Sequence, residues 1–268
     1  MDNRSIGVFD SGVGGLTVLG EIIKVVPNEN IIYFGDTARV PYGPRDLSQV
    51  KKFVFKIIEF LCDRDVKLIV IACNTSTAAA LEDLKEELGL PVIGVIEPGA
   101  RTAAYSSKNK KVGVIATQGT IESKAYDKEI AKISSSIELH SVAAPLLVDY
   151  IEKGILKGRD LENIVKSYLD PLIKKDIDVL ILGCTHFPLI EKLIKSYCGN
   201  GIKVISSAVE TAADVKKILV GKKIFSDDNN KKPLRMFYET GSSSNFLEVG
   251  KMFLGEEIKD VVMVNLGI

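Results

Sequence analysis

The sequence predicts an α/β protein of two pseudo-symmetric domains with mainly parallel sheets and a functional site in the cleft between them. Three observations lead there. Short apolar runs of strand length alternate with segments of helical periodicity along most of the 268 residues, which is the rhythm of parallel sheets covered by helices on both faces. The layout then repeats: Phe9-Asp10-Ser11-Gly12 is echoed by Ile115-Ala116-Thr117-Gln118-Gly119, and Leu68–Cys73 by Val179–Cys184. Asp10 and Thr117 are 107 residues apart, and Cys73 and Cys184 are 111 apart. Finally, the chain is long for one compact domain and comfortable for two.

The elements follow in order. Ile6–Phe9 and Ile31–Phe34 are apolar runs ending at Asp10 and Gly35, and read as strands. Leu47–Leu61 is helical, with Leu47, Val50, Val54, Ile57, Ile58 and Leu61 at spacings of three and four. Leu68–Ala72 is a fully apolar strand, Thr77–Leu88 a helix, and Val92–Val95 a strand. In the second half the strands are Val112–Ile115, Ile137–His140, Val179–Leu182 and Ile202–Ile205. After each of Cys73 and Cys184 comes a helical stretch, and the next strand region opens 18 residues on, at Pro91 and Ile202. Ser226–Pro233 is polar and reads as a loop. Arg235–Glu239 is then a strand, Asn245–Leu254 a helix and Val261–Asn265 a last strand, an order that can complete either unit. The division adopted is residues 1–96 with 210–268 as one domain and 97–209 as the other.

Composition narrows the function. Hydrophobic residues are 46% and charged residues 26%, near the averages for globular proteins. Lys+Arg and Asp+Glu are 35 each, so the net charge is zero. No nucleic-acid or membrane-surface partner is expected from such a balance. The lysines at Lys108–Lys111 and Lys231–Lys232 read as solvated faces or turns. No run approaches the ~18 apolar residues of a membrane span. The N-terminus enters a strand without a signal-peptide core, and the expected location is cytoplasmic. Four cysteines (Cys62, Cys73, Cys184, Cys198) contain no C-x-x-C pair, which argues against a disulfide framework and a structural zinc site.

In such sheets sites lie beyond the carboxyl ends of strands. Cys73 and Cys184 both stand there, each followed by small polar residues (Asn74-Thr75-Ser76-Thr77 and Thr185-His186) that cap helix N-termini. Free N–H groups and the helix dipole there stabilise a thiolate, the reactive form. A free cysteine is also simply a small buried apolar residue; its occurrence at matching places in a repeat favours chemistry. Cys62 and Cys198 fall within helical patterns and belong to the core. His186 can relay a proton or tune a thiol, or merely cap a helix. His140 reads as structural. Asp10 can orient a thiol or cap the helix beginning near Gly14, and Asp36 is a further polar group at a strand end. Gly12-Val-Gly-Gly-Leu-Thr17 fails the dinucleotide fingerprint, because Thr17 stands where its third glycine belongs, and there is no P-loop. The turn can still hold a carboxylate on its amides. Tyr42, in a Pro/Gly loop, can touch a ligand or pack.

Four segments together resemble the glutamate racemases of the aspartate/glutamate racemase superfamily: Phe9–Thr17, Phe34–Gly43, Ile71–Ala78 and Leu182–Leu189. The resemblance spans essentially the whole chain. It implies a cofactor-independent enzyme, without pyridoxal phosphate or metal, that interconverts L- and D-glutamate and supplies D-glutamate for peptidoglycan. It implies cysteine bases at Cys73 and Cys184, assisted by Asp10 and His186, with Glu152 a further polar group. Substrate contacts fall on Asp10, Ser11, Tyr42, Gly43, Asn74, Thr75, Thr185 and His186, with Thr117 and Thr120 added at the end of the fifth strand. A homodimer is also implied. An aspartate or hydantoin racemase shares the two-cysteine logic, although the Asp-Ser-Gly and Pro-Tyr-Gly segments favour glutamate. A non-catalytic amino-acid-binding module is the reading of another class, since fold alone does not fix function.

Overall fold

Two parallel sheets frame the molecule. The computed structural model describes residues 2–226, 232–241 and 244–267, so most of the loop expected at Ser226–Pro233, Lys231 included, lies outside the described residues. The first half runs β1 (Ile6–Asp10), α1 (Leu16–Val25), β2 (Ile31–Gly35), α2 (Leu47–Cys62), β3 (Leu68–Ile71), α3 (Asn74–Glu87) and β4 (Val92–Gly94). Helix α4 (Ile96–Ser106) leads into β5 (Lys111–Ala116), α5 (Gln118–Glu122), α6 (Ala125–Ile133), β6 (Glu138–Ala143), α7 (Pro145–Glu152) and α8 (Arg159–Ile173). Next come β7 (Val179–Gly183), a 3-10 turn at Phe187–Ile190, α9 (Glu191–Cys198) and β8 (Lys203–Ser206). Helix α10 (Ser207–Gly221) returns the chain to β9 (Arg235–Glu239), α11 (Ser244–Leu254) and β10 (Val262–Met263).

The sheet orders are β10-β9-β2-β1-β3-β4 and β6-β5-β7-β8. The second sheet thus repeats β2-β1-β3-β4 strand for strand, and every pairing among the described residues is parallel. The repeat suspected from Asp10/Thr117 and Cys73/Cys184 is a repeat of topology. The last two strands, which could have completed either half, join the first sheet.

Strand periodicity explains the layering. Ile6 and Val8 of β1, with Leu68 and Val70 of β3, point into one core under α1 and α10, while Phe9, Ile69 and Ile71 point into another under α2 and α3. The second sheet does the same: Leu180 and Leu182 face α7 and α8, and Val179 and Ile181 face α4 and α6. Cys62 and Cys198 are half-buried and pack against these cores, as expected of them. His140 on β6 is near Glu138, 3.1 Å away. The chain passes between the sheets at α4 and α10, and these are pinned together by Arg101, whose Nη2 donates to both carboxylate oxygens of Asp214 at 2.9 and 2.8 Å. Among the described residues no helix is long and apolar enough to cross a membrane.

At the amino ends of β2 and β3, far from the strand ends where a site is expected, Lys67 and Glu29 form an ion pair of 2.5 Å, both side chains fully buried. Glu29 also accepts from the Ser226 amide at 2.7 Å. Removing one member of a buried pair leaves an uncompensated charge, at a cost of about 3–5 kcal/mol. Lys67→Met keeps the bulk and loses the charge. It is expected to lower stability by about that amount while sparing the strand-end chemistry. Urea denaturation at pH 7 checks this, and an unchanged midpoint would show that the pair contributes nothing net.

Candidate active site

In each sheet the strand order reverses between two neighbouring strands, β1 and β3 in the first and β5 and β7 in the second. These switch points open crevices at the carboxyl ends. Asp10 and Cys73 stand at the first, and Thr117 and Cys184 at the second. The two sets of strand ends meet around one cavity, whose wall includes Ser11, Pro41–Gly43, Cys73–Thr75, Thr117, Val148 and Cys184–His186. About 10 Å³ of it is open to the centre of a water molecule, room for roughly one water. Admitting an amino acid requires these walls to part.

The two cysteines are supported differently. Cys73 is the N-cap of α3: its sulfur accepts from the Ser76 amide at 3.4 Å. The helix therefore starts at Asn74, three residues before the Thr77 the sequence suggested. Burial pushes the Cys73 thiol up to about 11, and the Asp10 charge adds to it, against hydrogen bonds from Ser76 and Ser11. Cys184 does not cap an α-helix. It precedes the short 3-10 turn, so the helix-terminus reading fails there, and α9 begins only at Glu191. Its support is His186, whose Nδ1 lies 3.5 Å from the sulfur and whose Nε2 is bonded to Glu152 of α7. Burial opposes a charge on His186, but the Cys184 sulfur and Glu152 carboxylate outweigh it and raise its pKa well above the usual value.

Asp10 is fully buried and stands behind the cavity wall. Its carboxylate accepts from the Gly12 amide at 3.0 Å and from Thr185 Oγ1 at 3.2 Å. Burial raises its pKa, opposed by the charge of His186 and by hydrogen bonds from Gly12, Gly15 and Thr185. The turn after β1 thereby reaches the residues after β7. Gly14 is required by this approach, since a Cβ there would sit 2.5 Å from Thr185 Oγ1 and 2.9 Å from His186 Nδ1. That is the work of the glycines which imitate a nucleotide motif.

Tyr42 lines the cavity, but its hydroxyl is committed to Asp36, so any ligand contact is through its ring or backbone. Asp36 also accepts from Arg39 and from Thr240, both at 2.6 Å, which fixes the loop to the end of β9. The Gly43 carbonyl accepts from the Gly119 amide at 3.0 Å. Thr75, Thr117 and Thr120 form a hydroxyl triangle with edges of 2.9, 2.9 and 3.4 Å, with Thr120 behind the wall. Glu152 likewise lies outside the cavity wall and acts on it through His186. Sequence reasoning missed Val148, Tyr126 and the Asp36–Thr240 link. Tyr126 and Thr240 are joined to the site only through contacts of large sequence separation, 52 and 204 residues.

Two thiols in the wall of one narrow cavity, one capping a helix and one paired with an imidazole–carboxylate couple, are groups able to remove and return a proton. The Asp/Glu/hydantoin racemase family model matches residues 6–215. The chain is 46% identical over 255 residues, 95% of its length and 93% of the relative's, to the glutamate racemase of Oceanobacillus iheyensis. With that of Listeria monocytogenes serotype 4a it shares 43% over 264 residues, 98% and 99% of the two chains. The structure of glutamate racemase isoform RacE1 from Bacillus anthracis superposes with a TM-score of 0.95 at 46% identity, covering 100% of both chains. The glutamate racemase of Francisella tularensis in complex with D-glutamate gives 0.93 at 39% identity, covering 100% of this chain and 99% of that one. The chain belongs to the Asp/Glu/hydantoin racemase family. It is an enzyme, an amino-acid racemase, and its curated relatives at 43–46% identity are glutamate racemases.

Proposed function

We propose that this racemase interconverts L- and D-glutamate by a two-base proton transfer at Cα, with Cys73 and Cys184 on opposite faces of the substrate. The observation that carries the reading is the pair of cysteines, one beyond each switch point, lining one cavity. Inversion needs a base on one face of the Cα–H bond and an acid on the other. At neutral pH Cys73 is the thiol, with its pKa raised to about 11, and Cys184 sits against a protonated imidazole. One sulfur takes the α-proton, the other delivers its own, and the product leaves the enzyme with the roles exchanged. The carbanion between the two steps is stabilised by donors aimed at the α-carboxylate in a site closed to water. The hydroxyls of Thr75 and Thr117, held from behind by Thr120, with the Gly43 backbone, Ser11, Thr185 and His186, supply the contacts to the substrate's polar groups. Closing of the wall around the substrate completes the site.

The same reading places the enzyme in the cytoplasm as a homodimer that supplies D-glutamate for peptidoglycan. It treats residues 1–96 with 210–268, and 97–209, as the two domains that part to admit substrate. The test is incubation of the purified protein with L-glutamate in D2O, without pyridoxal phosphate, following optical rotation and Cα deuterium by NMR. Rotation is expected to decay to zero as deuterium enters Cα. Binding without exchange would make the protein a non-catalytic module. Turnover of aspartate or a hydantoin in its place would keep the chemistry and overturn the substrate.

A further inference from the structure

Ser76 is the third residue of α3 and is 0% exposed. It stands behind the cavity wall that Cys73, Asn74 and Thr75 form ahead of it. Its amide donates to the Cys73 sulfur at 3.4 Å. Its hydroxyl oxygen has no hydrogen-bond partner of ordinary geometry among the described residues. A serine inside a helix can turn its hydroxyl to the carbonyl four residues back, but that of Ala72 does not take it. Buried polar atoms in native proteins are paired almost without exception, so this hydroxyl calls for a partner that arises in another state of the protein.

The acceptor beside it is the Cys73 sulfur. Burial raises the pKa of that thiol, and of the groups that oppose burial the Ser76 side chain is the foremost. A thiol makes only weak hydrogen bonds in either direction. A thiolate only accepts, and hydrogen bonds to a charged partner are roughly twice as strong as neutral ones. The hydroxyl is therefore unpaired while Cys73 holds its proton and paired once that proton leaves. Cys184 is served differently, by the His186 imidazole. The place in the second half that matches Ser76 holds Phe187, fully buried and without a hydroxyl.

We propose that Ser76 is a positioning residue whose hydroxyl donates to Cys73 when that sulfur is the thiolate, and so supports the half-reaction in which Cys73 removes the α-proton. It acts through Cys73 and touches no substrate. This inference rests on the two-base reading, which serine variants of the two cysteines test separately.

The experiment uses the enantiomers of a 3-chloroglutamate, each of which reports one thiolate. The thiolate takes the α-proton, the electron pair of the Cα–H bond forms the Cα=Cβ bond, chloride leaves, and the enamine hydrolyses to 2-oxoglutarate and ammonium. The enantiomer that Cys184→Ser still eliminates is the one served by Cys73. A hydrogen bond to a charged group is worth about 10- to 100-fold in the thiolate population, and the stronger basicity of an unassisted sulfur returns part of that. Elimination from the Cys73 enantiomer is therefore expected to slow about fivefold or more in Ser76→Ala, and elimination from the other to stay within about twofold. The melting temperature should not fall, since the variant removes a buried hydroxyl without a partner and alanine is the better helix former. Unchanged rates for both enantiomers overturn the proposal. Equal slowing of both, with a lower melting temperature, also overturns it, because the hydroxyl then holds the fold and does not serve one sulfur. Loss of enantiomer selectivity in Cys184→Ser itself would sink the two-base reading, and this inference with it.

Discussion

Cys73→Ala and Cys184→Ala are each expected to lower racemisation by at least about 10⁴-fold, the upper end of what one positioned proton-transfer group contributes. Each sulfur is both the base for one enantiomer and the acid for the other, so losing either stops both directions. Overall rates cannot show which sulfur serves which face. The enantiomers have equal free energy, so kcat/KM is the same from either side at every pH. An irreversible half-reaction separates them. With a 3-chloroglutamate, one thiolate removes the α-proton, chloride leaves from Cβ, and the resulting enamine hydrolyses to 2-oxoglutarate and ammonium. Only one base is used. Cys73→Ser is therefore expected to keep elimination from one enantiomer and Cys184→Ser from the other. Near wild-type racemisation by either alanine variant would end the two-base account. Equal elimination of both enantiomers by both serine variants would end the assignment of one sulfur to each face.

The parts of this fold that rest on local pattern were legible in the sequence. Alternation in Ile6–Phe9 and Leu68–Ile71 places adjacent residues in different cores, and this is what makes a fully apolar run a central parallel strand. The matching positions of Cys73 and Cys184 pointed to one site because the repeat is topological. What stayed hidden depends on residues meeting across the chain. Asp10 reads as a group at the site from its strand-end position, but its partners Gly12 and Thr185, the latter 175 residues away, are not legible there. Tyr42 reads from its Pro/Gly loop as a ligand contact or as packing, and the sequence does not show that its hydroxyl proton goes to Asp36. The small polar residues after Cys184 suggested a helix cap. Pro188 in the following segment goes instead with a 3-10 turn, which leaves a histidine as the support of that sulfur. Local sequence does not encode whether a polar side chain faces a cavity or another side chain, since that is decided by packing between elements.

The unequal support of the two sulfurs should itself be measurable. His186 carries a pKa raised by Cys184 and Glu152 in spite of burial. Chemistry that needs the imidazolium beside Cys184 is present below that pKa and lost as pH rises through it. Glu152→Gln removes a negative charge from Nε2, lowers the His186 pKa, and should move the alkaline limb of kcat/KM to lower pH, with the variant closest to wild type on the acid side. Stability carries the same sign: a histidine whose folded pKa exceeds its unfolded value near 6.5 stabilises fully below that pH, and the contribution disappears as pH rises through the folded pKa. The gap between wild-type and Glu152→Gln melting temperatures should therefore narrow at high pH. His186→Asn goes further, since it removes the cation altogether. The half-reaction that depends on Cys184 is expected to slow by about 10²–10⁴-fold. The one that depends on Cys73, held by the end of α3 and the Ser76 amide, should stay within a few fold. Equal slowing of both half-reactions would mean that the imidazole organises the whole cavity and does not serve one sulfur. An alkaline limb that does not move in Glu152→Gln would mean that the carboxylate does not govern the proton on His186.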